Sequence, residues 1–249
     1  MTTAGRAPGG SVRPVLAPGE FRINPSILSA DYGDLAAAAR EVATVTDWLH
    51  VDVMDGHFVP NLTIGPPVVA SLRRHSTAFF DCHLMVTSPE DLLDGFADAG
   101  ADLVTVHVEI GRTARLAAAI RDRGMRVGLA LNPDTPLSDV EPYLGEIDLL
   151  LCMTVFPGFP GQAFIDDVVP KIAEARAAID SRGLAVSIEV DGGIDTETAP
   201  RTAAAGARVF VAGAAIFDSP DPAAAVEALR DSVAAVIHAE PSPSDPKGS

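Results

Sequence analysis

Leu149-Leu-Leu-Cys-Met-Thr-Val155, followed by an amphipathic stretch from Phe164 to Ser181, is the unit on which the fold turns. Its first half is a short continuous apolar run, the pattern of a strand covered on both faces; its second half carries apolar residues at helical spacing. The same pair recurs along the chain. Strands are predicted at Arg22 to Leu28, Trp48 to Met54, Ala78 to Met85, Leu103 to Val108, Arg126 to Leu131, Leu149 to Val155, Val186 to Val190 and Arg208 to Ala212, each followed by an amphipathic segment such as Asp34 to Val45 or Ser88 to Ala99. Eight such units in about 220 residues fit an α/β fold of the (β/α)8 TIM-barrel type better than an open doubly wound sheet. The Gly-x-Gly-x-x-Gly turn of dinucleotide-binding sheets does not follow the first run. A single domain over 21–239 is expected, between a Gly-, Pro- and Arg-rich extension over 1–20 and a turn-former-rich tail over 240–249, both too poor in apolar surface to order themselves.

Composition narrows the function classes. Hydrophobic residues make up 47% of the 249, enough for one large core, yet no stretch approaches the roughly 18–20 uninterrupted apolar residues that span a bilayer. With 18 Lys+Arg against 34 Asp+Glu, the net charge of −16 argues against nucleic acid and anionic membrane as partners, because both need a basic footprint. Cys82 and Cys152 each sit within an apolar run, so buried thiols are expected in place of a disulfide framework, and a reducing, cytoplasmic setting with them.

In such a barrel the active site lies at the C-terminal ends of the strands. There the second predicted strand carries His50, Asp52 and Met54 on one side, the third carries Asp81, His83 and Met85, and the seventh leads into Glu189-Val-Asp191-Gly-Gly193. One buried polar residue of this kind is ordinarily just hydrogen-bonded. Two imidazoles and two carboxylates at matching ends, His50, Asp52, His83 and Asp191, suit one divalent ion of the Zn²⁺, Fe²⁺, Mn²⁺ or Co²⁺ type. That set suits removal of a proton from a carbon beside a metal-polarised carbonyl, through an enediolate. Inversion at that carbon needs a second acid on the opposite face, and Asp52 and Asp191 come from strands well apart around the ring, so these two are the expected proton carriers. Met54, Met85 and Met153 read individually as core filling; facing the mouth, they would form a dry, polarisable wall around the intermediate. Pro157-Gly158-Phe159-Pro160-Gly161-Gln162, Gly192-Gly193 and Gly213-Ala214 are each ordinary turn sequences alone, but three such loops side by side favour a phosphate cradle.

Asn24-Pro-Ser-Ile-Leu-Ser-Ala-Asp31, the long run from His50 to Pro66, Asp81-Cys-His-Leu-Met-Val86 and Glu189-Val-Asp-Gly-Gly-Ile194 closely resemble the ribulose-phosphate 3-epimerases, over essentially the whole domain. The resemblance implies a TIM barrel interconverting D-ribulose 5-phosphate and D-xylulose 5-phosphate at C3, with one divalent metal on His50, Asp52, His83 and Asp191. It implies substrate contacts at Ser26, His83, Gly158, Phe159, Pro160, Gly161, Gly192, Gly193, Gly213 and Ala214, a sugar phosphate as the small-molecule partner, and leaves a homo-oligomer open.

Three positions depart from that family's usual pattern. Pro160 replaces a glycine and removes a backbone donor from the loop, Ala214 stands where serine is common, and Phe156 stands where a polar residue is frequent. These touch substrate recognition, not the metal set. Allulose 6-phosphate is therefore the alternative substrate, since His107-Val-Glu109 and Leu131-Asn-Pro133 are compatible with either epimerase group. A metal-free phosphate-binding barrel would not need His50 and His83, and a barrel kept only as a scaffold would be expected to have lost one of the four ligands.

Overall fold

Every strand forms where an apolar run predicts one, with ends displaced by up to a few residues: β1 (Arg22–Pro25), β2 (Trp48–Met54), β3 (Phe79–Met85), β4 (Leu103–His107), β5 (Arg126–Leu131), β6 (Leu149–Met153), β7 (Ser187–Asp191) and β8 (Val209–Ala212). The structure is a computed structural model that describes residues 16–17, 19–46, 48–159 and 161–239. Residues 1–15 and 240–249 of the expected tails, and Pro160, lie outside the described residues. All neighbouring strands are parallel, in the order β1-β8-β7-β6-β5-β4-β3-β2, and a bridge between Ser26 and His50 brings β1 to β2, so the sheet nearly closes on itself. The helices α1 (Leu35–Val42), α2 (Pro66–Arg73), α3 (Leu93–Ala99), α4 (Thr113–Asp122), α5 (Val169–Ser181), α6 (Thr198–Ala204), α7 (Ala214–Phe217) and α8 (Pro222–Ile237) are spaced between and after the strands.

Two departures from the predicted pattern have local causes. The first run continues to Leu28, but β1 stops at Pro25 because Leu28 N donates to Ser26 Oγ, 3.2 Å away, capping a 3-10 turn over Ile27–Ser29. Between β5 and β6 the expected amphipathic helix is replaced by two 3-10 turns, Leu137–Asp139 and Glu141–Glu146. Pro133, Pro136, Pro142 and Gly145 break that segment, since proline lacks the N–H and clashes with the preceding helical turn.

Alternation along the strands divides the core. Leu49, Val51 and Val53 of β2 and Phe80, Cys82 and Leu84 of β3 face the helices and join the large outer cluster, where both cysteines are free and buried. The opposite face points into the barrel. At its lower end Trp48 stacks on Phe79 with ring centroids 4.3 Å apart, beside Leu103, Leu149 and Val209, and Leu16 packs against this cluster from the chain's beginning. Burying side chains of this size stabilises by about 1.5–3 kcal/mol each, so the floor anchors the ring whose upper rim carries the polar residues. Among the described residues no helix is long and apolar enough to cross a membrane.

Candidate active site

Inward-facing positions of β1, β2, β3 and β7, with Ser26 just past the end of β1, carry polar residues in pairs two apart: Asn24 and Ser26, His50 and Asp52, Asp81 and His83, Glu189 and Asp191. Because side chains two apart on a strand share a face, the pairs build two stacked polar layers. In the deeper one, Asn24 Nδ2 donates to Asp81 Oδ2 at 2.8 Å and to Glu189 Oε1 at 3.0 Å, and His50 Nδ1 lies 2.8 Å from Asp81 Oδ2. In the upper one, Ser26 Oγ donates to Asp52 Oδ2 at 2.5 Å, while Asp52 Oδ1 lies 3.4 Å from His50 Nε2 and 3.2 Å from His83 Nδ1. His83 Nδ1 is also 3.8 Å from Asp191 Oδ2. One ligand atom from each of His50, Asp52, His83 and Asp191 can be chosen so that all lie within 4.8 Å of one another, which brings the four expected residues together.

The donor set fits a metal ion. His50 Nε2 is a buried nitrogen with no hydrogen-bond partner, and Asp81 on the ring's other nitrogen holds Nε2 toward the upper layer. Burial pushes His50 down, but the charges of Asp52 and Asp81 outweigh it and hold its pKa well above the ordinary value, so this point of the barrel favours positive charge. Burial likewise pushes Asp52 up, yet the charge of His50 and the close approach of the His50 and His83 imidazoles keep it well below the usual carboxylate range. Asp191 goes the other way: burial, and then the charge of Asp52, raise it to about 7. Burial and the Asp81 charge push Glu189 well above its usual range as well.

Above the upper layer opens a pocket of ≈ 370 Å³. Its wall includes Ser26, Asp52, Met54, Met85, Met153, Gly158, Phe159, Gly161, Asp191, Gly192, Gly193, Gly213 and Ala214, nearly all the residues the sequence nominates for substrate and intermediate. His50 and His83 are fully buried beside Asp52 instead of standing on that wall. Met54 and Met85 form a small apolar cluster with Val59, while Met153 continues the interior cluster that rises from Trp48.

The glycines after β7 are required by close approach. Gly192 has φ +117°, and a Cβ there would lie 2.4 Å from Val155 Cγ2 and 2.8 Å from Val155 N. Thr154 Oγ1 donates to the Asp191 and Gly192 carbonyls at 2.9 and 2.6 Å, so the loop that carries Asp191 is tied to the end of β6. Gly192→Ala is expected to destabilise the fold by about 2–4 kcal/mol, from overpacking together with a strained backbone, and to raise KM; denaturant unfolding and steady-state kinetics check both. In the β6 loop, Gln162 Nε2 donates to the Phe156 and Phe159 carbonyls at 2.7 and 2.9 Å; both aromatic side chains are exposed, and Phe159 borders the pocket.

Sequence reasoning missed the deeper layer and the residues behind His83. His83 Nε2 is 2.8 Å from His107 Nε2, and His107 Nδ1 is 3.1 Å from Glu109 Oε2. Burial lowers His107 to about 4; burial raises Glu109, but hydrogen bonds from His107, Thr135 and Asn132 outweigh it and bring it to about 2. For Asn24, Asp81 and Glu189 the signal was present, as polar residues two positions before each rim residue.

The chain is similar to proteins of known kind. The model of the ribulose-phosphate 3 epimerase family matches residues 22–217. The cytoplasmic isoform of ribulose-phosphate 3-epimerase from Oryza sativa subsp. japonica is 46% identical over 218 residues, covering 85% of this chain and 94% of that protein. The ribulose-phosphate 3-epimerase of Rhodobacter capsulatus is 50% identical over 199 residues, covering 79% and 86%. Among solved structures, 3-keto-L-gulonate-6-phosphate decarboxylase from Vibrio cholerae superposes with a TM-score of 0.65 at 18% identity, covering 86% of this chain and 97% of that one, a likeness of fold alone.

Proposed function

Because the chain belongs to the ribulose-phosphate 3-epimerase family, we propose that it interconverts D-ribulose 5-phosphate and D-xylulose 5-phosphate by proton transfer at C3 between two carboxylates on one metal site. It is an epimerase. The observation that carries the mechanism is the convergence of His50, Asp52, His83 and Asp191 at the base of the pocket. A divalent ion held there by these four side chains would supply Lewis acidity to the carbonyl oxygen beside the reacting carbon. Asp52 and Asp191 come from β2 and β7, and both border the pocket. In the proposed mechanism one removes the C3 proton from its face of the sugar, and the other returns a proton to the opposite face of the planar enediolate. Ser26, hydrogen-bonded to Asp52, fixes the rotamer of that carboxylate. Met54, Met85 and Met153 keep the wall around the intermediate apolar, which strengthens the electrostatics inside it.

The phosphate is assigned to the backbone around Gly192-Gly193 and Gly213-Ala214, the loops after the seventh and eighth strands that serve this purpose in such barrels. A Cβ at Gly213 would stand 2.5 Å from Ser29 Oγ, so the chain here runs close against the Ser29 side chain on the pocket's edge. The assignment to a cytoplasmic enzyme is part of the same proposal, in keeping with the isoform from rice.

Comparing kcat/KM for ribulose 5-phosphate, allulose 6-phosphate and the two unphosphorylated sugars in D₂O tests the reading. Ribulose 5-phosphate is expected to be turned over best, with deuterium entering at C3 of the product. A preference for an unphosphorylated sugar would remove the phosphate assignment, and product free of deuterium would exclude exchangeable carboxylates as the proton carriers.

A further inference from the structure

His83 has two ring nitrogens with opposite surroundings. Nδ1 faces the carboxylates of Asp52 and Asp191, at 3.2 and 3.8 Å. Nε2 faces His107 Nε2 at 2.8 Å, with the two rings only 24° from coplanar orientation and their centroids 5.0 Å apart. Both imidazoles are buried. The chain continues outward: His107 Nδ1 meets Glu109 Oε2 at 3.1 Å, and Glu109 Oε1 accepts from Asn132 N at 2.7 Å and from Thr135 Oγ1 at 2.5 Å. The loop that supplies those two donors is itself held by Lys171, whose Nζ donates to the carbonyls of Asn132, Pro133 and Thr135 at 2.9, 2.7 and 2.7 Å.

Proton bookkeeping along this chain has one favourable solution when both rings are neutral. The Glu109 carboxylate is an acceptor only, so His107 must carry its hydrogen on Nδ1. His107 Nε2 is then a lone pair, and His83 must donate to it from its own Nε2. That leaves His83 Nδ1 as a lone pair aimed between two carboxylates, an arrangement that calls for a cation. The reverse order would set a lone pair of His107 against the Glu109 carboxylate.

We propose that His107 and Glu109 are positioning residues that fix the tautomer and ring plane of His83, so that Nδ1 is presented as a metal ligand. The inference rests on the metal reading above. It makes the two histidine ligands alike in kind: Asp81 orients His50 directly, and Glu109 orients His83 through a second imidazole. Outer partners of this sort typically change metal affinity about 10–100-fold when removed.

The test is Zn²⁺ affinity of the full chain, measured by competition with a chromophoric chelator, with the visible spectrum of the Co²⁺-loaded protein as a second readout. His107→Leu is expected to weaken Zn²⁺ binding by about 10–100-fold and to alter the Co²⁺ spectrum, and Glu109→Gln, at the partly exposed end of the chain, to weaken it by about fivefold or more. His107→Gln, whose carbonyl can accept from His83 Nε2 while its amide donates to Glu109, is expected to recover most of the loss. Should His107→Leu fail to fold, Glu109→Gln decides the matter. Wild-type protein that binds Zn²⁺ alongside folded variants that bind it equally well, even if their metal-free melting temperatures fall, would overturn the inference and leave the metal reading intact. A glutamine variant as weak as leucine would overturn the role given to the acceptor. Wild-type protein with no affinity for Zn²⁺ or Co²⁺ would remove both readings together.

Discussion

Replacing Asp191 with asparagine is expected to lower kcat for epimerisation by about 10²–10⁴-fold, the range that a positioned acid/base group contributes. The substitution keeps the side chain's shape and one oxygen that can still face His83, so the fold and part of the metal affinity should persist while the proton carrier is lost. Metal content measured beside kcat separates the two roles. A two-carboxylate mechanism makes a sharper demand: with Asp52 intact, the variant should still exchange the C3 hydrogen of one epimer with solvent, because Asp52 can remove and return a proton on its own face. Exchange without inversion, for one epimer only, is the expected signature in D₂O. Near-normal turnover would exclude Asp191 as a proton carrier.

Stripping divalent ions with a chelator is expected to reduce turnover to below about 1% of the loaded enzyme, with recovery on adding Zn²⁺, Mn²⁺, Co²⁺ or Fe²⁺. The same treatment should lower the melting temperature. An ion that binds only the folded chain, present at about 1,000 times its Kd, stabilises by about 4 kcal/mol, which for a domain of this size is a shift on the order of 10 °C. The structural reason is the crowding of Asp52 and Asp191 around one point, where burial, and then the charge of Asp52, already push Asp191 up to about 7. Metal-free protein with full activity and an unchanged melt would sink the assignment.

The four rim residues were legible because alternation and strand ends are local properties. A run such as Trp48–Met54 states which residues share a face, and the barrel rule states which end matters. What the spacing does not state is who meets whom. Asn24 bridges Asp81 and Glu189, 57 and 165 residues away, and nothing in the sequence pairs them before the ring is assembled. His107 was visible as an inward residue of the fourth strand, but its contact with His83 Nε2 depends on the stagger between β3 and β4, in which His83 pairs with Thr105 and not with His107. The missing helix between β5 and β6 was legible in principle, since three prolines within ten residues oppose a helix more strongly than the apolar spacing of Leu137, Val140 and Leu144 favours one. That irregular loop is where Glu109 finds two of its donors, so the break in the repeat sits next to the site it supports.

The stacked pair Trp48 and Phe79, with Leu103, Leu149 and Val209 around it and Leu16 beneath, stoppers the lower end of the ring. Under the proposed function, sugar and ion alike would then pass through the upper opening. For the proposed reaction that shared doorway sets an order of events: the ion would have to be seated before the sugar arrives, and a bound sugar would stand between the ion and the surrounding water. Occupancy by substrate should therefore slow the escape of the ion even where it adds nothing to the ion's own bonds, and an enzyme kept busy would hold its metal longer than one left idle.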